Sequence, residues 1–186
     1  MTRMSAKKTV GYSLYELLIV LLIIAILSLI TFSIFGKETI EQSRSRAAAH
    51  DLYRFLQFAR SYAVFNGKTT TLCATVDGQN CLASRDWQGA NLLLFIDSNN
   101  NLRRDLDEEI IRHLTIAQHQ GYLSWRSFGN KTYLQWQTNG MTYFQNGNFL
   151  FCPNNKNAKH AFVLVLNAAG RLYFTEDTNN DGIVEG

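Results

Sequence analysis

From Leu17 to Phe35 the chain carries no charge, and the only polar residues are Ser28, Thr31 and Ser33. With Leu14 and Tyr15 in front, the run is long enough to cross ~30 Å of hydrocarbon as a helix. After Gly36 the pattern changes: Leu52, Phe55, Leu56, Ala59 and Ala63 recur at helical spacing, and Asn66-Gly67 supplies a stop signal. This predicts an amphipathic helix over 37–66 that lays one apolar face on a sheet. Its polar side carries Arg44, Arg46, Arg54 and Arg60, which read as a solvated face, with ligand binding as the alternative. From Thr69 onward apolar residues come in strand-length runs at 69–75, 90–97, 109–116, 122–127, 132–137 and 142–151. Asn146-Gly147 in the last of these is a hairpin signal. Two further runs, "HAFVLVLN" and "GRLYFTE", flank Ala168-Ala169 and predict a C-terminal hairpin. The expected fold class is α+β, a long N-terminal helix packed on antiparallel β-sheet. The expected organisation is an N-terminal flank at 1–11, an apolar helix at 12–35 and a soluble head at 36–186. The head has its sheet within 69–176 and an acidic loop at 177–186.

Charge sharpens this picture. The net +3 is supplied by Arg3, Lys7 and Lys8 ahead of the apolar run, and all 15 acidic residues follow Gly11. Without that flank the chain is neutral, so no strong field for nucleic acid or anionic lipid follows from net charge. The basic flank predicts a cytoplasmic N-terminus with the head outside. A cleaved secretory signal is the competing reading, but its apolar region would span only about 7–15 residues and end in a small-x-small site. Here the run is longer and ends "TFSIFGKET". Cys73, Cys81 and Cys152 would then sit where disulfides persist.

One charge interrupts the pattern. Glu16 stands at the mouth of the apolar run, although a carboxylate near a bilayer centre costs about 2.5–3.5 kcal/mol. The surrounding residues resemble the type IV pilins and type II secretion pseudopilins. That signature is a short basic leader ending in Gly, an aromatic residue, a Glu five residues past the cut, and an unbroken apolar helix. This chain has "KKTVG", then Tyr12, then "SLYE" ending in Glu16, then "LLIVLLIIAILSLITF". The resemblance implies cleavage between Gly11 and Tyr12 by a prepilin peptidase, N-methylation of Tyr12, and retention of the helix as a single-pass anchor in a bacterial inner membrane. From there the subunit, its head periplasmic, would pass into a pilus or pseudopilus. It also implies assembly with other pilin-like subunits through this helix. A neighbour's Tyr12 amine against Glu16 would offset much of the desolvation that either charge suffers alone. An ordinary anchor with Glu16 among lipid headgroups is the alternative. In place of the helix-bending proline of many pilins stands Ser33, and the only proline is Pro153.

"LQFARSYAVFNGKTTTLC", "WQGANLLLFIDSNNNLRRDLDEEIIRHL" and "LVLNAAGRLYF" most resemble the GspH/FimT-like minor pilins and pseudopilins. Two roles follow from that likeness. The first is a structural subunit of a pilus tip or assembly-priming complex. The second is DNA uptake, which in FimT-like members uses a C-terminal "GRxR" motif. Gly170 and Arg171 match its start, but Tyr173 replaces the second arginine, and Glu176, Asp177, Asp181 and Glu185 follow. Because affinity for nucleic acid rests on clustered cations, DNA ranks second.

The remaining chemistry is modest. Cys73 and Cys81 flank the polar loop "ATVDGQN" and are the first choice for a disulfide; Cys152 reads as a buried thiol, with other pairings open. "DTNNDG" places Asp177, Asn179 and Asp181 at alternating positions of a calcium loop with Gly182 at the turn, but the chain ends before position 12. "DSNNNLRRD", from Asp97 to Asp105, is similar, with Leu102 where glycine belongs. Turn formation alone is the competing reading of both. No cofactor beyond calcium is suggested. His50, His113, His119 and His160 lack ligand spacing, and no nucleophile motif appears, so an enzyme is not expected.

Overall fold

The computed structural model describes residues 13–84, 86–87, 91–116, 121–154 and 158–175; the side chains of 30–38 and 86 also lie outside the description. The chain divides into two compact units, Met1–Ile40 and Glu41–Gly186. One helix, α1 (Leu14–Asn66), contributes to both.

In the first unit, large apolar side chains from Leu14 to Leu29 are exposed on every side of α1, with Ile19 the least exposed at 42%. Ser28 Oγ donates to the Ile24 carbonyl at 2.7 Å, which removes its one polar donor from that surface. Among the described residues no helix is long and apolar enough to cross a membrane. The described part of the apolar run is shorter than the about 20 residues a span requires.

In the second unit the expected stripe is the core. Leu52, Phe55, Leu56, Ala59 and Ala63 are all buried and pack with residues of both sheets. Each large apolar side chain so buried contributes about 1.5–3 kcal/mol. α1 stops where Asn66-Gly67 predicts: Gly67 takes φ +62, and the Lys68 N–H reaches back to the Ala63 carbonyl at 3.2 Å. A left-handed glycine just past the last turn is the common way to end a helix.

Among the described residues nine strands follow: β1 (Thr70–Thr75), β2 (Asp86–Trp87), β3 (Asn91–Ile96), β4 (Ile110–Thr115), β5 (Gly121–Ser127), β6 (Tyr133–Trp136), β7 (Gly147–Pro153), β8 (Phe162–Leu166) and β9 (Leu172–Phe174). They form two antiparallel sheets, ordered β4-β3-β1-β6 and β2-β5-β7-β8-β9. The class is α+β as expected, a helix on antiparallel strands, and the described strands divide between two sheets. β1 is buried on both faces: Leu72 and Ala74 belong to the main core, whereas Cys73 belongs with Leu93 and Phe95 to a small second core that Cys81 and Ile110 help to cover. The expected C-terminal hairpin forms, with Val165 opposite Tyr173.

The hairpin expected within 142–151 does not form. Gly147 begins β7, paired with β5 and β8, and residues 142–146 make a turn. Its two ends are held by side chains: Thr142 Oγ1 lies 3.3 Å from the carbonyls of Asn167 and Ala168, and Gln145 Oε1 accepts the Gln135 N–H at 2.7 Å. Tyr143 and Phe144 are left with φ of 32° and 52°, a conformation that tertiary anchoring imposes on residues that do not favour it.

Candidate functional site

Glu16 lies in the first turn of α1. Ser13 opens the helix: its carbonyl accepts the N–H groups of Glu16 at 3.0 Å and Leu17 at 3.2 Å, and its hydroxyl accepts the Tyr15 N–H at 3.4 Å. A carboxylate there also meets the positive end of the helix dipole. Glu16 is therefore exposed and surrounded by exposed apolar residues on the same helix. Gly11 and Tyr12, the expected processing position, lie outside the described residues.

A second cluster joins segments far apart in sequence. Arg60, which reads in sequence as part of a solvated face, is half-buried. Its Nε donates to the Gly140 carbonyl at 3.1 Å and its terminal nitrogen to the Ala169 carbonyl at 3.3 Å. The correction has a geometric cause: the planar guanidinium fork reaches two turns at once. Arg46 and Arg54 are exposed, as expected, and Arg44 is half-buried. Gly170 sits at φ +75, and a Cβ there would lie 2.1 Å from the Gly140 carbonyl oxygen. Its turn is closed by the Gly170 N–H to the Asn167 carbonyl at 2.9 Å and by the Arg171 N–H to Asn167 Oδ1 at 2.9 Å. Gly170 is thus placed by packing, while Arg171 is exposed and its side chain bonds to none of the described residues. Tyr173, where a second cation would belong, is half exposed. A single cation on a turn can neutralise about one phosphate.

The cysteines pair as first expected. Cys73 and Cys81 form a disulfide with Cα atoms 5.5 Å apart, and Cys152 is a free, half-buried thiol. Asp77 organises the loop they close: Oδ1 accepts the N–H groups of Gln79 and Asn80, each at 2.8 Å, and the Thr75 hydroxyl at 3.0 Å; Oδ2 accepts the Asn80 amide at 2.7 Å. The Asn80 N–H foremost, then the Asn80 side chain, holds this carboxyl well below the usual carboxylate range.

Of the two acidic loops, the one containing Asp177, Asn179 and Asp181 lies outside the described residues. The other holds itself together. Asp97, fully buried, accepts from Thr71 Oγ1 at 2.9 Å, Gln135 Nε2 at 2.9 Å, and the N–H groups of Asn101 and Leu102 at 3.1 Å. Glu108, also buried, accepts the N–H groups of Ser98 at 2.8 Å and Asp105 at 3.1 Å. Leu102 takes φ +67, the backbone that glycine would supply. Glu108 stands at the twelfth position counted from Asp97, beyond the stretch that ends at Asp105. Among the described residues no group of three or more His, Cys, Asp or Glu is placed to hold a metal.

Three comparisons bear on this arrangement. The family described as type II transport protein GspH matches residues 48–170. None of the curated proteins compared matches the chain. Two crystal forms of the type IV minor pilin FimU from Pseudomonas aeruginosa strain PAO1 are similar in structure. The P21 form has a TM-score of 0.51 at 21% identity, covering 73% of this chain and 91% of that one. The P65 form has 0.48 at 20% identity, covering 70% and 92%. The P21 likeness concerns the fold, a helix on antiparallel strands. The family match takes in Arg60, the disulfide, the Asp97 loop and Gly140, and it ends at Gly170. The head that Arg60 ties together is accordingly a pilin-like head, and the chain belongs to the GspH family of the pilin and pseudopilin superfamily.

Proposed function

We propose that this minor pilin or pseudopilin is a structural subunit, not an enzyme, of the tip or assembly-priming complex of a type IV pilus or type II secretion pseudopilus. The observation that carries the reading is the first part of α1, apolar and exposed on all sides from Leu14 to Leu29 with Glu16 in its first turn. A helix apolar all round needs a cover, either lipid or other helices. In this reading the inner membrane covers it first and neighbouring subunits replace the lipid in the filament. A prepilin peptidase cuts between Gly11 and Tyr12 and methylates the new amine, which then meets Glu16 of an adjacent subunit. That contact sets the register of the chains, and the head remains periplasmic.

Intact mass measurement of the chain recovered from membranes of cells that contain a prepilin peptidase tests this. The expected mass begins at N-methylated Tyr12. A chain that keeps Met1, or one cut after the apolar run, contradicts the reading.

A second reading, DNA uptake, rests on the exposed Arg171 of the turn that Gly170 shapes. It is the weaker because Arg60, the nearest cation tied to that turn, spends its donors on carbonyls.

A further inference from the structure

Within the second unit a cavity of about 250 Å³ opens between α1 and the turn before β8, lined among others by Gln42, Ser45, Arg46, Lys159 and His160. Two of these side chains are more than nine-tenths buried, Ser45 at 6% exposure and His160 at 8%. The Ser45 hydroxyl and both ring nitrogens of His160 have no hydrogen-bond partner among the described residues. That is unusual for a serine inside a helix, whose default is the carbonyl one turn back, the bond Ser28 makes. Orphaned buried polar atoms call for an explanation, and an unfilled ligand position is one.

The lining has a single sign of charge. Arg46 and Lys159 are exposed, no carboxylate among the described residues lines the cavity, and Arg46 makes no ion pair with a described residue. A hydroxyl donor, an imidazole N–H, a guanidinium fork and an ammonium belong to the residues that line a space large enough for a tetrahedral oxyanion. We propose that this cavity binds a phosphate group, with Ser45 and His160 donating from within and Arg46 and Lys159 neutralising charge at the rim.

Its place in the chain favours a source. Phe35 to Gln42 is a stretch that reaches no more than about 25 Å even fully extended. If the apolar run sits in a bilayer, as the reading above holds, the first cavity residue follows its end by only seven positions, and phospholipid headgroups are the source to test first. The lipid source rests on that reading, whereas the phosphate site does not.

The test uses the full chain in a neutral maltoside detergent. Melting is followed against inorganic phosphate, against phosphatidylglycerol in mixed micelles, and against chloride at matched ionic strength. The variants are Arg46→Gln and Ser45→Ala; the first is exposed and the second removes an unpaired hydroxyl, so both should fold. The expected result is a saturable rise in melting temperature with phosphate or phosphatidylglycerol, its apparent affinity reduced about tenfold or more in each variant. A response to the lipid but not to the free ion supports the headgroup as ligand, and the reverse supports free phosphate. No saturable response to either, or a response of undiminished affinity in both variants, overturns the proposal. Because inorganic phosphate needs no membrane, failure of that arm bears on the cavity and leaves the mass of the mature N-terminus to judge the subunit reading.

Discussion

Gly170 cannot accept a side chain without displacement, since its backbone is left-handed and a Cβ would lie 2.1 Å from the Gly140 carbonyl oxygen. Gly170→Ala should cost about 2–4 kcal/mol. Arg60→Lys, which keeps the charge but loses the fork, should cost about 1–2 kcal/mol. Urea unfolding, followed by fluorescence of the buried Trp87, Trp125 and Trp136, measures both, and unchanged midpoints would refute the clamp. Asp77 gives a pH dependence with a definite sign. Its folded-state pKa is lowered, so the unfolded chain binds the proton more tightly. Its contribution is fully present above the ordinary aspartate value and is lost as pH falls below about 4. Melting temperature should therefore fall more steeply between about pH 5 and pH 2.5 in the unmodified chain than in Asp77→Asn. Parallel curves would show that the loop does not depend on the carboxylate.

At the scale of elements, the disulfide ties the end of β1 to the loop that follows it. Reduction, or Cys73→Ser with Cys81→Ser, should cost about 2–3 kcal/mol on the chain-entropy model, and an unaltered melting temperature would contradict that. Features written in neighbouring residues were legible: the stripe from Leu52 to Ala63, the stop at Gly67, the Cys73–Cys81 pair and the hairpin of β8 and β9. What was hidden is non-local. Arg60 looks solvated in a helical projection, because its carbonyl partners lie 80 and 109 residues away. Asn146-Gly147 is a sound hairpin signal in isolation, but Thr142 and Gln145 are anchored to other segments, and the turn moves to Tyr143-Phe144. The division into two sheets follows from β6 pairing with β1 rather than with a strand next to it in sequence, a choice no local pattern records. The buried Ser45 and His160 were equally out of sight, since only packing brings them to one cavity.

For the whole molecule, two surfaces compete to define the role: the apolar length of α1 and the turn bearing Arg171. If DNA were the ligand, a single exposed cation predicts weak binding by the full chain, with a salt dependence of about one counterion and loss on Arg171→Ala. A steep slope, reporting several phosphates, would move the protein toward DNA uptake. The subunit reading instead assigns the decisive charge to Glu16. That residue would be silent in an isolated chain, where it is exposed, and would matter only when apolar helices pack and a neighbour's amine must find it.

The most direct measurement is the amount of Glu16→Ala chain in sheared filaments relative to membranes, quantified by immunoblot, with Ser28→Ala as a control on the same apolar surface. The account predicts that Glu16→Ala reaches the membrane, is processed, and falls about tenfold or more in the filament fraction, while Ser28→Ala is incorporated normally. Equal incorporation of Glu16→Ala and the unmodified chain would contradict the account at its centre.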